Sequence, residues 1–174
     1  MTEQVSPLAT FYKPGWEHYQ HALIQTIAPL SSEQLALSLG PHQRSIGDLL
    51  EHMIGARFNW FHLWMGEGDP NLDWDDGEDE DEPTAHQAAW FVALFEKSWR
   101  VISSALDRWT PADLEQLFVA PASHQAWLRN QGLEEESPHT RQWIVWHVIE
   151  HEVHHGGELS LALGTYGVNG FYDW

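Results

Sequence analysis

The chain has 174 residues, 43% of them hydrophobic, enough for one ordinary core and too few for two, so a single domain over residues 1–174 is expected. Eight Lys and Arg against twenty-six Asp and Glu leave a formal charge of -18, which repels phosphate backbones and anionic lipid and argues against nucleic acid or a membrane surface as partner. Zero cysteines exclude disulfides, thiolate metal sites and a cysteine nucleophile, leaving histidine and carboxylate as the strong ligands for a transition metal.

The opening stretch MTEQVSPLATFYKPGW has neither a basic n-region nor an apolar h-region, and no run approaches the length of a membrane span, so a cytoplasmic protein is expected. Pro14 and Gly15 introduce a segment in which Trp16, Tyr19, Leu23 and Ile27 recur at intervals of three and four. That periodicity predicts a first amphipathic helix, with Pro29 ending it. Ser45, with Asp48 three residues on, is an N-cap for a second helix that carries Leu49, His52, Met53, Ala56, Trp60 and Phe61 and ends near Gly66.

Residues 67–82 hold ten of the twenty-six acids with no base, and Gly68, Pro70 and Gly77 break them into a solvated acidic loop. Asn71, Asp73 and Asp75 alternate as calcium ligands do, but Asp76 stands where an EF-hand loop needs its glycine. Thr84, with Gln87 three residues on, caps a third helix whose apolar face runs through Phe91, Phe95, Trp99, Ile102, Leu106 and Trp109. A short helix in PADLEQLF follows, then irregular chain from Ala120 to Glu136. Ser137 and Pro138 read as N-cap and first residue of a fourth helix, ended by Gly164. Four amphipathic segments without a strand pattern predict an all-α bundle.

The fourth helix contains WHVIEHEVHHGGE, which puts His147, His151 and His155 at successive four-residue spacings on one face, where imidazole nitrogens can converge on one ion. Histidines satisfied by the surrounding carboxylates are the plainer reading. The bulky neighbours Trp143, Ile144, Trp146, Val148, Ile149 and Val153 turn the balance, because a face bearing them is expected to point into the bundle. Residues 151–155 also spell the H-E-x-x-H signature of zinc proteases, which would make Glu152 a general base. Glu158 and Leu161 stand where one protease class needs glycine and histidine, and only Asp173 follows as an acid for the other. The protease reading is therefore set aside. A third ligand must come from earlier in the chain, and His52 is the histidine that lies among the apolar positions of its own helix. His18, His21, His42, His62, His86, His124 and His139 are expected at the surface.

With Ser45 to His52, Trp60 and the segment Trp146 to Leu159 in view, the chain resembles the DinB-like superfamily of bacterial proteins. The resemblance implies a four-helix bundle, up-down-down-up, here with a short extra helix and the acidic loop. It also implies a divalent metal, zinc or nickel foremost, on one histidine of the second helix and two of the last. Residue by residue these are His52, His151 and His155. His147 matches a motif histidine that is not normally a ligand. The family motif continues with Arg, Gly and Gln where this chain has Gly156, Gly157 and Glu158, so the positive group expected beside the site is missing. His147, Glu152 and Glu158 are the candidates to support the ligands from behind, with Glu51 and Glu150 also close in sequence.

Members of this superfamily include thiol S-transferases that use bacillithiol and mycothiol-dependent isomerases, and others look like metal hydrolases. The function so implied is a metal-dependent thiol S-transferase with a low-molecular-weight thiol as co-substrate and a small-molecule substrate. A non-catalytic metal-binding or stress-associated bundle and a metal-dependent hydrolase are the alternatives. Two glycines inside the last helix call for a close neighbour or a bend, and eleven Trp suit a homodimer interface.

Overall fold

The computed structural model describes residues 7–38, 40, 43–71 and 87–171. Its elements run α1 (Pro7–Ile27), α2 (Ser32–Leu35), α3 (Ile46–Arg57) continued by a π-helical segment Phe58–Trp64, α4 (Ala88–Arg108), a 3-10 turn Pro111–Glu115, β1 (Leu117–Phe118), α5 (Ala122–Asn130), β2 (His139–Thr140) and α6 (Arg141–Thr165). The all-helical expectation is met. The two-residue strands pair antiparallel, with Phe118 opposite His139. Among the described residues no helix is long and apolar enough to cross a membrane.

α1 packs on α4, and α3 packs on both α4 and α6. The apolar faces close into two clusters. One gathers Leu23, Ile27, Leu49, Met53, Phe95 and Leu159, and the other Trp16, Phe61, Ile102, Leu106, Ile144 and Val148. On every long helix a buried polar residue falls between its contributions to the two: Gln20 on α1, Arg57 on α3, Ser98 on α4 and Glu152 on α6. Arg57 Nη2 donates to Glu152 Oε2 at 2.9 Å, Nη1 to the Phe95 carbonyl and to Ser98 Oγ at 3.2 Å each, and Gln20 Nε2 to the same carbonyl at 3.2 Å. A buried guanidinium is tolerated only when paired and saturated in this way.

Several boundaries differ from expectation for local reasons. α1 begins at Pro7 and runs through Pro14: Leu8 and Ala9 in its first turn are buried and hold that end of the helix in place, offsetting the backbone bond that the proline ring removes. Ser45 caps α3 as expected, closing a box in which its hydroxyl accepts from Asp48 N and Asp48 Oδ2 accepts from Ser45 N. Past Arg57 the helix widens into a π turn, where one residue more than in an α-helix separates bonded groups. Trp60 and Trp64 on this segment meet the start of α6 and the strand before it, Trp60 against Trp143 and Trp64 against His139.

Thr84 lies outside the described residues, and Gln87 occupies the N-cap of α4 without a side-chain bond. The chain from Ala120 to Glu136 is not irregular throughout, since it holds α5, anchored by buried Leu128. α6 starts later than Ser137–Pro138, because β2 intervenes and Thr140 takes the cap, its Oγ1 accepting from Trp143 N at 3.2 Å. The acidic loop loses its first member to the protein interior. Glu67 is buried, accepting from Trp109 Nε1 at 3.2 Å and from Arg108. The alternating acids Asp73 and Asp75, with Asp76 and Gly77, lie outside the described residues.

Of the paired glycines, Gly156 has the close neighbour: a Cβ there would fall on the Tyr19 hydroxyl, which donates to the Glu152 carbonyl. Gly157 faces open space.

Candidate metal centre

The capping box fixes where α3 starts, and His52 follows two turns in, on the side that α3 turns to α6. His151 and His155 lie one turn apart on α6. The structure brings all three together: each offers one ring nitrogen, and these nitrogens lie within 4.8 Å of one another. His52 Nε2 and His151 Nε2 face each other at 3.0 Å, and ring centroids are separated by 4.7 Å for His52 and His151, 4.8 Å for His52 and His155, and 4.3 Å for His151 and His155.

Burial, followed by the neighbouring His155 and His52, pushes His151 down to about 3 from its ordinary 6.5. His52 is lowered too, first by burial and then by the Arg44 guanidinium and His155. Neutral imidazoles with lone pairs free are the form that binds a cation. Two such nitrogens at 3.0 Å hold at most one proton between them, and a divalent ion satisfies both. The donor set of nitrogen without sulfur suits zinc, nickel or copper.

Of the supporting candidates, Glu158 does reach one of the three histidines, its Oε2 lying 2.7 Å from His155 Nδ1. That bond leaves Nε2 as the nitrogen His155 has to offer inward, and the His155 hydrogen bond holds the Glu158 carboxyl below its usual range. Glu152 points away from the three histidines. It is 1% exposed and accepts from Arg57 and, at 2.9 Å, from Trp16 Nε1, so it neither orients a ligand ring nor stands free as a base. Glu51 and Glu150 are exposed.

His147 stays outside the cluster, its ring 6.2 Å from that of His151 and stacked at 4.9 Å on Trp143. It belongs to an aromatic wall that continues the histidine face: Trp60 meets His147 edge-on at 4.9 Å and Trp143 at 5.6 Å. His139, expected at the surface, stacks on Trp143 at 3.6 Å with planes 9° apart. Trp146 and Val153 run the other way, being 61% and 59% exposed, so the apolar residues of α6 do not all turn inward. They line a shallow groove of about 510 Å³ together with Ile149, His147 and His151.

Reasoning from sequence missed two cations. Arg44, beside the α3 cap, brings the positive charge that Gly156 withholds, near enough to lower both His52 and Glu158. Arg57 had no sequence signal beyond its place one turn before Phe61 on an apolar face.

A family model described as the DinB family matches residues 3–170. A DinB-like protein from Bacillus cereus ATCC 10987 has a similar crystal structure, with a TM-score of 0.66 at 16% identity over 93% of this chain and 95% of its own. A conserved protein from Enterococcus faecalis gives a TM-score of 0.62 at 16% identity over 90% and 97%. At such identities the likeness is one of fold. No curated protein matches the chain in sequence.

Proposed function

The chain belongs to the DinB family, and from that premise we propose that His52, His151 and His155 hold one divalent cation, zinc or nickel, in a metal-dependent thiol S-transferase. The observation that carries the reading is the convergence of three half-buried imidazoles from two helices, with one ring nitrogen of each within 4.8 Å of the others and, among the described residues, no fourth side chain in the group. When bound there, a divalent ion keeps a position open and lowers the pKa of a thiol or water that takes it.

The chain's own residues favour the thiol over hydrolysis. Glu152, the base that H-E-x-x-H chemistry would need, is committed to Arg57 and Trp16. The groove beside His151, with Trp146, Ile149 and Val153 in its lining, suits an apolar electrophile. Arg44 supplies a positive field at the same end, which favours an anionic thiol. Glu158 fixes the tautomer of His155 by accepting its Nδ1 hydrogen.

Zinc-loaded protein, purified without a histidine tag, is incubated with a cysteine-bearing low-molecular-weight thiol and a chromogenic electrophile. A conjugation rate that needs metal and disappears in His52→Ala is expected. A rate no higher than that of His52→Ala overturns the transferase, and metal content unaffected by His52→Ala overturns the centre itself.

A further inference from the structure

We propose that His154, His155 and Glu158 form a second divalent-cation site on the outer side of the first, the two ions sharing the His155 ring. The Glu158 carboxylate divides its oxygens between two histidines, Oε1 lying 3.3 Å from His154 Nε2 and Oε2 lying 2.7 Å from His155 Nδ1. One ligand atom from each residue lies within 4.8 Å of the others. Two imidazoles and a carboxylate are a donor set that zinc, nickel and copper accept, and N···O separations near 3 Å are those of atoms that share one such ion.

Orientation of His155 alone would occupy one carboxylate oxygen. The second oxygen sits against His154, which lies one helical turn before Glu158 and whose side chain is 65% exposed, so that one carboxylate joins two imidazoles. Access is not obstructed, since nothing lies within 4 Å of a Cβ built on Gly157, between the ligands in sequence. Glu158 Oε2 lies against His155 Nδ1, which leaves Nε2 on the other side of the ring for His52 and His151. With an inner ion in place, His154, Glu158 and the Nδ1 of His155 would hold the outer one; the Nδ1 proton would then go to solvent, and Glu158 would turn from accepting the N–H to ligating the ion. The sharing rests on the metal centre proposed above, whereas the outer ion does not.

Apoprotein made by chelation is dialysed against zinc, and bound metal is counted. Two equivalents are expected for the native chain, one for His154→Ala and one for His52→Ala, with circular dichroism showing each variant folded. His154 is exposed, and its replacement leaves the inner ligands in place. With copper(II), the second equivalent is expected to weaken the electron paramagnetic resonance signal of the first through the shared ring, and to do so only when His154 is present. One equivalent in the native chain, or a His154→Ala count equal to the native, overturns the outer site. Two equivalents with independent copper signals overturn the shared ring. Loss of an ion in His154→Ala but none in His52→Ala overturns the inner centre and leaves the outer one standing.

Discussion

Replacing Glu152 with alanine separates two roles that its sequence context confuses. A general base next to a metal would be lost with activity and without stability. The structure predicts the reverse. Glu152 accepts from Arg57 through both Nε and Nη2 and from Trp16 Nε1, while Arg57 is 1% exposed. The variant therefore strands a guanidinium in the interior together with the indole N–H. Breaking a buried pair from one side costs about 3–5 kcal/mol. In a chain of this size each kcal/mol moves the midpoint by about 2–4 °C, so thermal unfolding is expected between about 6 and 20 °C below the native value. Replacing both partners, Arg57→Met with Glu152→Leu, removes the stranded charge and is expected to recover most of the loss. Calorimetry of the single and double variants measures this, with zinc content as the companion reading. A single variant that melts within 2 °C of native while losing turnover would refute the structural role and revive the base.

Three further outcomes follow from the same packing. Gly156→Ala pushes a Cβ onto Tyr19 and is expected to destabilise by about 1–3 kcal/mol, whereas Gly157→Ala, facing open space, gains about 0.5–1 kcal/mol of helix preference; urea midpoints should move in opposite directions. His151 sits at about 3 in the folded apoprotein and near 6.5 unfolded, so the unfolded chain binds more protons between these values. Its contribution to stability is complete above about 6.5 and is lost as pH falls toward 3; in chelator, the native midpoint should drop more steeply from pH 7.5 to pH 5 than that of His151→Gln, and equal slopes would contradict the assignment. Glu67→Ala deprives Trp109 Nε1 of its acceptor and should cost about 1–3 kcal/mol by denaturant titration, against less than about 0.5 kcal/mol for exposed Asp69→Ala.

What the sequence disclosed was decided within a few residues. The Ser45 and Asp48 box is a four-residue agreement, and His151 and His155 announce themselves by one turn of spacing. His52 was recognisable because it is the histidine that lies among the apolar positions of its own helix. The rest depended on partners far along the chain. Arg57 and Glu152 are 95 residues apart, and each alone resembles a surface charge. Glu67 sits in a run of acids and differs from them only through Arg108 and Trp109, which the fold delivers. α5 was passed over because only Leu128 of its nine residues is buried, too little to show a period. Gly156 could be read as needing a neighbour, but Tyr19 could not be named.

The π segment sets the helix's phase. Up to Arg57 the helix is α-helical; from Phe58 to Trp64 one additional residue separates its bonded groups, and Trp60 and Trp64 on that segment meet Trp143 and His139. Deleting Asn59 would leave His52 untouched and keep a continuous helix, yet shift everything after it by about 100°. Trp60 and Trp64 would turn away from Trp143, His147 and His139 together. The histidine cluster would thus keep its place while the surface beside it is redrawn in one step, so that the length of this segment, more than the identity of any one residue in it, sets the face that the aromatic wall presents.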